Sequence, residues 1–234
     1  VGWKAYRQSP WQFPIGMTEG LIYPDETCVI YTDSIPLFAI FFKLLSPLLP
    51  GTFQYFGLWG IMSFILMGGI SAVILRKGTD KLYLCVAGSV FFSFSPYVFQ
   101  RMYGHTALAG QWLILLAIMI WLYRPYFNDF KKKTIVWSTL LAVASLIHIY
   151  YIPMVMIFMI FSCLQDVLEN NGWKQDILMG LIAVAADLLL LYCVGAFSVS
   201  STMQDTGLGN YSANLNVFWN PHGNGKILHE QPLR

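Results

Sequence analysis

Residues 53–75, FQYFGLWGIMSFILMGGISAVIL, contain no charged side chain and outrun the roughly 20 residues a helix needs to cross a hydrocarbon core. A run like this leaves few options. In lipid its backbone must satisfy its own hydrogen bonds, which makes it a helix. Similar apolar runs recur at about 82–100, 106–123, 134–148, 150–163 and 177–197. The whole chain has 56% hydrophobic and only 11% charged residues, where soluble domains carry about a quarter charged. The expected fold class is therefore an all-α, polytopic transmembrane helix bundle. The net charge of +2 is too small to point to nucleic acid as a partner, whereas membrane lipids are expected ones.

The basic residues lie in short turns. Arg76, Lys77 and Lys81 follow the first span, and Arg124, Lys131, Lys132 and Lys133 follow the third. Positively charged turns stay in the cytoplasm, so both turns are assigned to that side. Residues 134–163 contain His148 and Pro153 and are read as two short passes rather than one tilted helix. That count puts residues 1–52, the turn at 100–105, the break at 148–152 and the segment from 198 on the outer face. The resulting organisation has three parts. Residues 1–52 form an outer-face loop with a membrane-lying helix near 35–50, and 53–197 form the transmembrane region. Residues 198–234 begin a further outer-face loop or domain. The chain opens on VGWKAYRQSP and stops at EQPLR, and is read as a fragment.

Polar residues within this apolar frame are the candidates for chemistry. Arg101 and His105, in FQRMYGHTALAGQW, fall where the third span begins. Open backbone N–H groups and the helix dipole favour an anion there, and a guanidinium fork suits phosphate. The plainer reading is Arg101 reaching for lipid head groups while His105 caps the helix. Asp33, in YTDSIP, either acts as a base or, with Ser34, caps the helix that Pro36 opens. His148 lies at the break between two passes and is as suited to a ligand as to neighbouring carbonyls. Lys43 interrupts the membrane-lying helix, free to meet a phosphate or to snorkel. Asp187 is a carboxyl within the last span. Cys28, Cys85, Cys163 and Cys193 have neither disulfide nor metal-ligand spacing, and neither a metal site nor a cofactor motif is evident.

Five motifs occur in order: GWKAYRQSPWQFPIG, YTDSIPLFAIFFKLLSPLLP, FQYFGLWG, RMYGHTALAGQWLIL and LIHIYYIPMV. Together they resemble the membrane region of a bacterial multi-pass family, without an assigned activity, that is related to the GT-C glycosyltransferases. The resemblance implies transfer of a sugar from a polyprenyl-phosphate donor to a glycan, lipid or protein acceptor. It places that reaction on the outer face of the bacterial inner membrane. Arg101, His105, His148 and Lys43 become candidate ligands of the lipid-linked phosphate, and Asp33 a candidate catalytic acid. The resemblance also implies a first helix and a catalytic acid upstream of Val1, and more chain after the last residue. A transporter or flippase of lipid-linked saccharides, and a non-catalytic assembly protein, are the alternatives.

Overall fold

The computed structural model describes residues 1–22, 25–127, 129–169 and 172–199. The expected outer-face segment at 198–234 lies, past Val199, outside the described residues.

The first segment folds as a small platform. Helix α1 (Gly2–Gln8) is followed by an antiparallel pair, β1 (Met17–Ile22) and β2 (Asp25–Cys28), and then by α2 (Pro36–Leu44). The hairpin adds strand to a chain expected to be all helix. Its polar, turn-rich sequence carries no apolar alternation to announce it. Pro36 opens α2 as expected, since its fixed φ suits a first helical position. The expected cap is absent: neither Asp33 nor Ser34 caps α2, and Ile35 takes the N-cap position with a left-handed φ of 51°. The Arg7 guanidinium ties α1 to the following turn, donating to Ser46 Oγ at 2.8 Å and to the carbonyls of Leu49 and Pro50, each at 2.9 Å.

Seven helices form the bundle: α3 (Phe56–Leu75), α4 (Leu82–Ser93), α5 (Pro96–Gly104), α6 (Trp112–Leu122), α7 (Phe130–Ile147), α8 (Tyr151–Leu168) and α9 (Trp173–Val194). Three of them, α3, α8 and α9, are long and apolar enough to cross a membrane, and α4 with α5 passes the same test across a 40° bend. Pro96 causes that bend, because a proline lacks the N–H that would continue the ladder. The span expected at 106–123 is shorter than anticipated. His105 breaks out of α5, a 3-10 turn covers Thr106–Ala109, and α6 has 11 residues, about 16 Å.

The segment 134–163 is two helices, joined through residues 148–150. Their directions follow from their polar contacts. Lys133 at the start of α7 meets Asp166 near the end of α8 and Asp176 near the start of α9, while Ser145 meets Asp187 further along. Hence α7 runs antiparallel to α8 and parallel to α9. Apolar side chains such as Ile61, Ile65, Ile160, Leu164, Leu181 and Leu189 remain exposed along α3, α8 and α9, as lipid-facing positions would.

Both basic turns gather at one end. The Lys77 ammonium lies 4.5 Å from the Tyr123 ring, and Arg124 pairs with Asp166 and Glu169. The platform packs against the other end, on the last carbonyls of α9 and of the turn after it. Ile15 N–H donates to Cys193 O at 3.0 Å, Gly16 N–H to Val194 O at 2.9 Å, and the Tyr31 hydroxyl to Ala196 O at 2.6 Å. These bonds supply partners that a helix C-terminus lacks on its own. The close approach requires glycine, since a Cβ at position 16 falls 2.5 Å from Val194 O. Gly16→Ala is therefore expected to cost about 1–3 kcal/mol through forced backbone shifts, read as a lower melting temperature of the detergent-solubilised protein.

Candidate functional site

Where the platform meets the bundle, a cavity of about 600 Å³ opens between the 31–33 loop, α5, α6 and the break before α8. Asp33, Arg101, His105 and His148, far apart in the chain, all line it. Lys43 does not. Its ammonium is buried in the platform, 4.0 Å from the Tyr6 ring and 4.6 Å from Trp11, and it donates to Pro10 O at 3.3 Å. Burial pulls its pKa down to about 8. The expected phosphate role of Lys43 is thus replaced by a caged cation holding α2 to the turn after α1. Asp187 is also elsewhere, bonded to Ser145 Oγ at 2.5 Å between α9 and α7.

Asp33 holds the site together. One carboxylate oxygen accepts from Thr106 N–H at 2.5 Å and the other from Ala107 N–H at 2.9 Å. Those N–H groups open the 3-10 turn, where the sequence led us to expect a ligand's anion. The anion is supplied from within the chain instead. Three further bonds hold this corner: Tyr55 hydroxyl to Ser34 O, Trp59 Nε1 to Thr106 O at 2.8 Å, and Tyr151 hydroxyl to Leu108 O at 2.7 Å.

Arg101 projects from the last turn of α5 with its guanidinium 4.8 Å from the Tyr97 ring. Its Nε is buried without a hydrogen-bond partner, and among the described residues no carboxylate pairs with it. Gln111 adds a second buried donor, Nε2, that also lacks a partner. Unsatisfied buried donors lining one cavity leave room for an acceptor from outside the chain. His105 is exposed at the mouth, where it ends α5. His148 ends α7, and its Nδ1 accepts from Tyr150 N–H at 3.2 Å. Its pKa is held below the usual histidine value, chiefly by burial and also by His105, against an opposing pull from Asp33. The ring is then neutral near pH 7, with its proton on Nε2 as a donor. Among the described residues no group of three metal-ligating side chains is close enough to hold a metal ion.

The arrangement offers one unpaired cation and several neutral donors around a space fit for a polar, negatively charged group. Comparison with known proteins adds a family. The chain belongs to the family described as a domain of unknown function, DUF6311. The match covers residues 1–234. No curated protein and no solved structure matches the chain. Tyr97, Gln111, Tyr150 and Tyr151 also line the cavity of this DUF6311 chain, although the sequence reading did not single them out.

Two outcomes follow from these contacts. Asp33→Ala removes two charge-assisted bonds and leaves two N–H groups open, an expected loss of about 2–4 kcal/mol in thermal or denaturant unfolding. For His148, a folded-state pKa below the unfolded value near 6.5 means the unfolded chain takes up the proton more readily. Its stabilising contribution is complete above that value and fades as pH falls through and below it. His148→Gln is expected to flatten the drop in melting temperature between pH 7.5 and 5.5.

Proposed function

We propose that this DUF6311 protein is a membrane glycosyltransferase of GT-C type, moving a sugar from a polyprenyl-phosphate donor to an acceptor at the outer face of the bacterial inner membrane. The observation that carries the proposal is Arg101: a guanidinium without an acidic partner, in a polar cavity at the end of an apolar bundle. A charge in that position is costly unless a ligand's anion meets it. The basic turns at the opposite end support a cytoplasmic assignment for that end, which faces the cavity outward.

Inverting transfer requires a base to take the acceptor hydroxyl's proton and positive groups to stabilise the leaving phosphate. Arg101 holds the phosphate, and the Nε2–H of His148 and the ring of His105 donate to it or to the sugar. Asp33 is a positioning residue, because both its oxygens are bound to backbone N–H groups. The resemblance to GT-C enzymes implies a separate acid as the base.

The test is transfer by the full-length protein with polyprenyl-phosphate sugars in detergent or vesicles. Arg101→Ala is expected to lower kcat/KM about 100-fold, the scale of losing one transition-state donor, with the melting temperature retained. Full activity and unchanged donor binding in that variant would remove Arg101 from the mechanism. The buried Asp187–Ser145 pair and the broken α4–α5 helix favour a second reading, a transporter or flippase of lipid-linked saccharides. Under that reading, sugar crosses sealed vesicles without a new glycosidic bond.

A further inference from the structure

At the end of the bundle away from Asp33, a second cavity of about 540 Å³ opens at the start of α9, with Lys133, Asp166, Lys174 and Asp176 on its polar side and Phe130 and Trp173 on its apolar side. Its ion pairs leave one carboxylate oxygen over. Lys133 Nζ donates to Asp166 Oδ2 and to Asp176 Oδ1. Arg124 Nε lies 3.3 Å from Asp166 Oδ1, and the same guanidinium pairs with Glu169. Two cations thus serve three carboxylates. Asp166 is matched at both oxygens, but Asp176, only 5% exposed, has its Oδ2 buried with no partner. A buried carboxylate oxygen in that state calls for a donor that carries positive charge.

The cavity also has an anion-binding side. Among the described residues no side chain caps this 22-residue helix; Gln175 N–H is held by Gly172 O at 2.9 Å, while the Trp173 and Lys174 N–H groups have no partner there, and the dipole favours negative charge beside them. Lys174, on that first turn, has its ammonium 5.7 Å from the Trp173 ring and, among the described residues, makes no ion pair. The depth is that of a membrane surface. From Ile177 onward Asp187 is the one charged residue of α9, with Ile177, Leu178 and Leu181 exposed, and Trp173 stands where interfacial aromatics collect.

We propose that this cavity seats a phospholipid head group bearing a primary ammonium, with the ammonium on Asp176 Oδ2 and the phosphate on Lys174 and the N-terminus of α9. A bare metal ion would leave most of the space empty and the anion side unused. A choline head group has no N–H to give Asp176. The shared chemistry is phosphoethanolamine, whether carried by a lipid or free in solution. The site is independent of the sugar-transfer reading and can fail or stand without it.

The experiment places the full-length protein in nanodiscs of phosphatidylglycerol mixed with either phosphatidylethanolamine or phosphatidylcholine, and counts the lipids retained after partial delipidation by native mass spectrometry. At least tenfold preferential retention of phosphatidylethanolamine over phosphatidylcholine is expected. Asp176→Asn should abolish the preference, and Lys174→Gln should lower retention of both lipids alike. Equal retention by the wild-type protein would overturn the proposal, and that comparison holds even if Asp176→Asn fails to fold. Soluble phosphoethanolamine binding as tightly as the lipid would overturn the lipid as the source, and equal protection by sodium alone would overturn the head group.

Discussion

The carboxylate of Asp33 on the N–H groups of Thr106 and Ala107 joins two parts of the chain that are 73 residues apart, and the site depends on it. At residue 105 the helical ladder stops, and Ala107 just beyond it is buried away from water. The open N–H groups need an anion. Because Asp33 provides it, the platform is drawn onto the bundle at that corner, and the break becomes a fixed turn. Trp59 and Tyr151 then bind carbonyls of the same turn, and Tyr55 holds the backbone beside Asp33. Arg101 and His105 inherit their positions from this arrangement, since both sit on the helix that the turn ends.

Satisfying the turn from within has a second effect. The N-terminal dipole is spent on Asp33, and among the described residues Arg101 is a cation without a carboxylate partner in the cavity, beside the unpaired Nε2 of Gln111. The division is between a carboxylate that builds the site and a guanidinium that no carboxylate of the described residues meets. The other end of the bundle repeats the logic with the sign reversed. There Lys133 and Arg124 secure α7, α8 and α9, and the surplus is a carboxylate oxygen of Asp176. Between the two ends the helices are bound mainly by apolar packing, with Ser145 and Asp187 as a polar contact inside it.

The helical frame was readable because its signal is local. Charge-free runs, Pro36 at a helix start, and basic turns each act within a few residues. The same locality explains the errors. Asp33 next to Pro36 reads as a cap for α2, yet its carboxylate reaches a turn that only folding brings near, and Ile35 takes the cap position in a left-handed conformation. Lys43 reads as an interfacial cation. Its partners, the rings of Tyr6 and Trp11, come from a separate helix and turn that sequence spacing cannot bring together. The β1–β2 hairpin was hidden because its residues alternate in neither hydrophobicity nor size.

The sequence by itself determined that this chain is a bundle of apolar helices, where most of them start and stop, and which polar residues are costly enough to need a reason. Hydrophobicity and proline geometry act over one or two turns, so those conclusions require no knowledge of neighbours. Only the tertiary structure decided that Asp33, Arg101, His105 and His148 share one cavity, that Lys43 stands outside it, and that Asp33 serves the backbone. Hydrogen bonds and ion pairs are short-ranged and directional, and their partners lie on different helices. Which of them meet depends on how the helices pack.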